Sequence, residues 1–165
     1  MRTILCCIKF LFLIKNNPYC THKRRRLESI LPHFDHQSIN WQNKEGDTPL
    51  HLAVQTIEEE HLLLQFLERG ARLDIKNQEN LTPIGIAYKE NKSRLVTALC
   101  DKISNNRKIY LFHRAVILDL IKEIKDEDKA LKQKLARAAL SFENSEPFLN
   151  KETLDELVEI SGNSP

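Results

Sequence analysis

His33-Phe34-Asp35-His36 places two imidazoles and a carboxylate within four residues, the beginning of a divalent-cation site. A closed tetrahedral set needs further ligands, and no cysteine or additional histidine lies nearby in the sequence to supply one. The segment reads as a polar loop, and no metal or other cofactor is expected. Glu58-Glu59-Glu60 could be taken for an acidic site, but negative charge at the start of a helix complements the helix dipole, and an exposed helix start is the simpler reading. Cys6, Cys7, Cys20 and Cys100 match neither a metal knuckle, a redox C-x-x-C nor a disulfide scaffold. They point to a reducing, intracellular (cytoplasmic) setting, with Cys100 at the end of an apolar helical stretch as a small buried hydrophobe. No nucleophile with a base and no phosphate loop occurs, so no enzymatic activity and no small-molecule substrate are expected.

The charges divide unevenly along the chain. Of 25 basic residues, seven precede the first acidic one, Glu28, which leaves 18 basic against 23 acidic residues in the body. The basic balance therefore lives in an N-terminal arm. Its run His22-Lys23-Arg24-Arg25-Arg26 is open to three readings: a solvated helix start, a contact to anionic lipid or nucleic acid, or a nuclear import signal. Nucleic acid is disfavoured by the lack of interleaved aromatics and glycines.

Ahead of that run lies the apolar segment 4–14, ILCCIKFLFLI. As a helix it would reach only ~16 Å against a hydrocarbon core of ~30 Å, with Lys9 in its middle, so it cannot span a membrane alone. Three readings remain: a packed first helix, an interfacial anchor working with the basic run, or a frayed start. The anchor would bring residues 4–26 to a membrane surface and make the chain a peripheral membrane adaptor, which stands as the alternative function.

The elements that must position any site follow from an internal repeat. Thr48-Pro49-Leu50-His51-Leu52-Ala53 and Thr82-Pro83-Ile84-Gly85-Ile86-Ala87 lie 34 residues apart. A threonine at N-cap accepts from an orphan backbone N–H, and a proline at the next position forfeits only a donor without a partner, so each Thr-Pro opens a helix. The flanks repeat as well: Ile39-Asn40-Trp41-Gln42-Asn43 lies over Leu73-Asp74-Ile75-Lys76-Asn77, and Glu45 over Glu79. A second helix follows in each copy, with Leu62, Leu63, Phe66 and Leu67 in one and Leu95, Val96, Leu99 and Cys100 in the other, spaced for one buried face. Gly70-Ala71 stops the first copy.

In these residues the chain resembles the ankyrin repeat. The first copy, 43–76, carries Asn43-x-x-Gly46-x-Thr48-Pro49-Leu50-His51-x-Ala53 and then Phe66-Leu67-x-x-Gly70-Ala71. One residue inserted around 57–61 accounts for a period of 34 where the family has about 33. The second copy, 77 to about 106, keeps Thr82, Pro83, Ile84 and Ala87 but has Asn80 in place of the family's glycine and Gly85 in place of its histidine. Asparagine tolerates the left-handed backbone. The lost histidine implies looser helix packing there.

Two copies need covers. Upstream, Leu27, Ile30, Leu31 and Phe34 have the spacing of a degenerate second helix. Downstream, Phe112-His113-Arg114-Ala115-Val116 echoes the motif without Thr-Pro, and ten residues from Cys100 to Tyr110 leave no room for a hairpin. Helices are expected over 108–125, about 127–142 and 151–160. The second of these should turn Leu131, Leu135 and Ala138 inward and pair Asp128 with Lys132.

The fold expected is all-α, an ankyrin-type helical solenoid with two clear repeats, degenerate caps and a helical C-terminal extension, divided as 1–38, 39–106 and 107–165. The resemblance implies binding to another protein through a concave face. Carried over by position, that face uses Gln42, Lys44, Glu45, Asp47, Lys76, Gln78, Glu79 and Leu81. Trp41 has two readings, interface anchor if exposed or core if packed on Ile75, and the core reading is favoured. Short, degenerate ankyrin stacks rich in lysine and asparagine resemble those of intracellular bacteria or large viruses, which implies a host-directed effector delivered into a host cell.

Overall fold

The computed structural model describes residues 28–57, 59–105, 107–125, 128–143 and 149–162, and the described residues are all-helical with no strand. The apolar segment 4–14, the run His22 to Arg26, Cys6, Cys7, Cys20, Leu27, Glu58 and Glu127 lie outside them. Helical residues 28–30 lead into a 3-10 turn, Leu31–His33, and a second 3-10 turn covers Ser38–Asn40. Then come α1 (Pro49–Thr56), α2 (Glu60–Glu68), α3 (Pro83–Lys89), α4 (Ser93–Ser104), α5 (Arg107–Glu123), α6 (Lys129–Glu143) and α7 (Lys151–Ser161). The chain forms two compact units that divide between Leu99 and Cys100, inside α4.

In the first unit α1 is a helix too short to be stable by propensity alone. It is held by packing against α3, α2 and the Ser38–Asn40 turn. Pro49 to Val54 are all buried as a result, and Leu50 is fully so. Leu62, Leu63, Phe66 and Leu67 line the inward face of α2, and Phe66 meets the Phe34 ring at 6.3 Å in a tilted pair. Leu31 and Phe34 are buried and Ile30 half-buried, so the upstream apolar spacing does supply core.

The helix ends locate the extra residue of the first copy. At the end of α3 the Asn91 N–H donates to the Tyr88 carbonyl (3.0 Å) and the Lys92 N–H to the Ala87 carbonyl (2.9 Å), with Asn91 at φ 57°. This is a Schellman closure with asparagine in the left-handed position. Gly70 and Ala71 close α2 the same way, onto Leu67 (3.0 Å) and Phe66 (2.9 Å), with Gly70 at φ 86°. The end of α1 differs, because α1 runs one residue longer than α3 and leaves through an extended Ile57. Its last carbonyls are met from the other copy: Lys92 Nζ donates to Val54 (2.8 Å) and Gln55 (2.7 Å). A cation at a helix C-terminus also suits the dipole.

In the second unit α6 packs against α5 and α7. Leu135, Ala136 and Ala139 of α6 are buried with Val116, Ile117, Leu120 and Ile121 of α5 and Leu157 of α7. The expected helices at 108–125, 127–142 and 151–160 correspond to α5, α6 and α7. Leu131 is only half-buried, and Asp128 lies one residue before the start of α6. The side chain of Ala138 is not among those described. Asn150 caps α7 by accepting from the Thr153 N–H (2.9 Å), and Gly162 ends it at φ 72°. Arg137 Nε donates to the Ser161 carbonyl (3.2 Å), and Lys134 pairs with Asp101 at 2.6 Å.

Lys92→Met keeps the aliphatic stem and removes the donors to α1. The expected loss is about 1–2 kcal/mol in the urea unfolding free energy; an unchanged midpoint would mean that water serves those carbonyls equally well.

Candidate functional site

The segments preceding α1 and α3 are two turns built alike. Asn43 N–H donates to the Asp47 carbonyl (2.9 Å), while Asn43 Oδ1 accepts from the Glu45 (3.0 Å) and Asp47 (2.7 Å) amides. In the second copy Asn77 N–H donates to the Leu81 carbonyl (3.0 Å), and Asn77 Oδ1 accepts from the Glu79 (3.0 Å) and Leu81 (3.1 Å) amides. The residue that closes each turn is left-handed: Gly46 at φ 78° and Asn80 at φ 61°. Asn80 thus takes the glycine's role without a glycine.

The two turns are bonded to each other. Gln78 donates its backbone N–H to the Glu45 carbonyl (3.0 Å) and its side-chain amide to the Lys44 carbonyl (2.8 Å). Gln42 Nε2 reaches the Gly46 (2.8 Å) and Lys76 (3.3 Å) carbonyls. Asn40 donates to the Gly70 carbonyl (3.0 Å) and accepts from the Arg72 amide (2.8 Å). The approach is close enough that a Cβ on Gly46 would lie 3.0 Å from Gln78 N and 3.1 Å from Asn77 Cα. Glycine is required there twice over, by φ and by space.

His51 joins the copies from within. Its ring Nδ1 accepts from the Thr48 N–H (3.1 Å) and faces the Thr48 hydroxyl at 2.8 Å, which leaves Nε2 as the protonated nitrogen, donating to the Leu81 carbonyl at 3.1 Å. The tautomer follows from that network. Burial pushes the imidazole below its ordinary 6.5; the Leu81 carbonyl, Asp47 and the Ile75 carbonyl pull the other way without overcoming it. The ring is therefore neutral and structural. In the second copy Thr82 still accepts from the Gly85 N–H (3.1 Å), but with no side chain on Gly85 the second half of this cap has no counterpart.

Of the residues expected to contact a partner, Gln42, Lys44, Glu45, Lys76, Gln78 and Glu79 lie at the surface and Leu81 is half-buried. Asp47 belongs elsewhere. Its side chain is buried and accepts from Asn77 Nδ2 at 2.9 Å, because a carboxylate one residue before the helix cap lies between the two turns and not at their tip. Gln42 and Gln78 are surface residues whose amides are already engaged in tying the turns together. The motif residues Thr48, Pro49, Leu50, His51, Ala53, Pro83 and Ala87 are buried, Thr82 is half-buried, and Gly70 holds its positive φ.

Trp41 also departs from expectation: it is exposed, at 41%, and not core. It stands at the end of the Ser38–Asn40 turn with an extended backbone, φ −64° and ψ 138°, beyond the reach of the α1 core. The turn-building roles of Asn43 and Asn77 do not follow from residue type alone, although their equivalence at a spacing of 34 residues carries the signal.

Of the remaining chemical candidates, Asp35 and Cys100 have structural roles. Asp35 Oδ1 accepts from Ser38 N–H (2.8 Å), Ser38 Oγ (2.7 Å) and Gln37 N–H (3.2 Å), which opens the Ser38–Asn40 turn. Among the described residues no group of three or more His, Cys, Asp or Glu side chains is placed to hold a metal. Burial pushes the Cys100 thiol up to about 12, with Asp101 adding to the shift, so it stays protonated. Glu59 and Glu60 are exposed at the start of α2. No described helix is long and apolar enough to cross a membrane.

With this geometry in view, the comparisons place the chain beside ankyrin repeat domain-containing proteins. It is 32% identical over 105 residues to ankyrin repeat domain-containing protein 13C of Xenopus tropicalis, and equally so to ankyrin repeat domain-containing protein 13C-A of Xenopus laevis. Each match covers 62% of this chain, which spans only 19% of either relative's length. No family model matches the chain, and no solved structure matches it.

Two outcomes check the turns. Gly46→Ala should lower stability by about 2–3 kcal/mol, whereas Asn80→Gly, at an exposed position, should be neutral or slightly stabilising; equal effects in chemical denaturation would show that the close approach to Asn77 is not a constraint. His51 predicts a pH dependence. Its folded-state pKa lies below 6.5, so the unfolded chain takes up the proton first, and stability present above pH 6.5 is lost as pH falls through the lowered folded value. His51→Asn should be less stable at neutral pH and show a shallower acid decline in urea midpoints than the parent chain; parallel declines would remove His51 as the cause.

Proposed function

We propose that residues 39–106 form an ankyrin-type helical solenoid of two repeats, flanked by the segments 1–38 and 107–165, and that it binds another protein through the surface of its turns. The observation that carries this reading is the pairing of two turns of identical hydrogen-bond pattern by amide bonds from Gln78, Gln42 and Asn40. Such bracing leaves little backbone entropy to lose on association. It presents Lys44, Glu45, Lys76 and Glu79 as a mixed-charge surface. The similarity to ankyrin repeat domain-containing proteins supports the same reading. Recognition, and not bond chemistry, is what these side chains are arranged to do, since their neighbours' polar groups serve the turn itself.

Glu45→Lys combined with Glu79→Lys inverts two surface charges. It breaks the exposed ion pair of Glu79 with Lys89 (3.3 Å), and exposed pairs add little to stability, so folding should hold. Affinity capture from a lysate, comparing this double variant with the parent chain at equal melting temperature, should change the amount of protein captured. Equal capture by both forms refutes the turn surface as the binding face.

A further inference from the structure

The two turns are held together by an outer and an inner set of bonds. Gln78, Gln42 and Asn40 make the outer ones at the surface, where water competes for donors and acceptors. The inner ones run from His51 Nε2 to the Leu81 carbonyl (3.1 Å) and from Asn77 Nδ2 to the buried Asp47 (2.9 Å). The first turn is also secured to its own helix, because the His51 ring completes the Thr48 cap. The second turn has no such anchor on its far side: Gly85 offers no side chain, and Thr82 caps α3 alone. The end of the second turn therefore leans on His51.

Both ring nitrogens are committed, and the arrangement has no place for a second proton. Nδ1 accepts from the Thr48 N–H at 3.1 Å, so a proton on Nδ1 sets two N–H groups against each other where burial makes an unmatched donor costly. The Thr48 hydroxyl, 2.8 Å from Nδ1, is already the acceptor for the His51 N–H. To relieve the conflict the ring must turn, and in a rigid ring Nε2 then leaves the Leu81 carbonyl as well. Asp47 is the charge that acts on the ring, and burial outweighs it. The titratable groups of the elements packed on α1 face water instead. Glu60, His61 and Glu68 of α2 and Lys89 of α3 are exposed, Tyr88 is half-buried, and the Ser38–Asn40 turn carries none. Glu79 of the second turn is exposed.

We propose that the paired turns are a proton-sensitive clasp: when His51 takes up a second proton, the second turn releases the first while the helices stay folded, and the joint surface comes apart. The inference rests on the protein-binding reading above only for its consequence, that binding through both turns ceases in acid. In the opened state the ring titrates near its ordinary 6.5 and in the closed state below it, so opening sets in below pH 6.5 and is complete below the lowered value. The free full chain, labelled with nitrogen-15, would be followed by NMR from about pH 7.5 down to about 4.5. The Gln78 N–H crosses to the Glu45 carbonyl, and its protection against exchange should fall at least about tenfold, with the midpoint of the His51 ring. Phe66 and Leu67, inside α2, should keep theirs. His51→Asn should show no such step. Asp47→Asn keeps an acceptor for Asn77 but removes the charge that favours the imidazolium, so the midpoints of the ring and of Gln78 should move together to lower pH.

Gln78 protection lost only together with that of α2, an unaltered step in His51→Asn, or a Gln78 midpoint that stays in place while Asp47→Asn moves that of the ring would each overturn the clasp. If His51→Asn does not fold, Asp47→Asn against the parent chain decides alone. The measurement needs no partner, which separates its failure from that of the binding reading. If the clasp opens while the Glu45→Lys, Glu79→Lys variant captures as the parent does, the clasp stands and the turn surface is refuted. If capture changes while Gln78 stays protected in acid, the surface stands and the clasp falls.

Discussion

The bridge made by His51 is the interaction on which the first unit depends. One buried ring accepts from the cap of its own helix at Thr48 and donates to the Leu81 carbonyl of the next turn, so a local cap and a long-range tie share one side chain. A buried carbonyl without a donor costs about 1–3 kcal/mol, and an imidazole that must stay neutral to serve both partners makes the tie sensitive to protonation. The side-chain amides of Gln78, Gln42 and Asn40 then extend the same principle outward to the surface. The backbone of each turn is satisfied partly by the other copy, which is why neither turn is an independent loop.

The helix ends show how such an arrangement absorbs an irregularity. With one more residue in the first copy, α1 leaves through an extended Ile57 and forgoes the left-handed closure that Asn91 provides for α3. The orphaned carbonyls are recovered by Lys92, which also pairs with Glu90 at 2.8 Å. A change in chain length is thus answered by a side chain from the neighbouring copy. The second copy has no such reserve at Gly85, where Thr82 caps alone.

The second unit works by different means. Its helices are long, α6 packs against both α5 and α7, and Leu135, Ala136, Ala139 and Leu157 are buried there. Gly162 ends α7 with a Cβ position 3.3 Å from Gln133 Nε2. Cys100, whose spacing gave it no chemical partner in the sequence, is an apolar filler with a thiol held protonated.

Much was legible in the residues alone. The two Thr-Pro starts, the apolar pairs of the second helices, the stop at Gly70 and the three C-terminal helices all follow from local rules: capping, periodicity and left-handed propensity operate within a few residues and leave their mark on the sequence. The inserted residue could likewise be counted from the 34-residue offset of the threonines. What needed tertiary structure were the facts that depend on a second segment arriving. Asp47 and Lys44 look alike as polar residues of one turn, but only the approach of Asn77 buries the first and leaves the second in solvent. Trp41 carries the hydrophobicity of a core residue, and its place beyond the α1 core is set by where the Ser38–Asn40 turn ends. Burial is a property of what lies opposite a residue, and a sequence names the residue without naming its opposite.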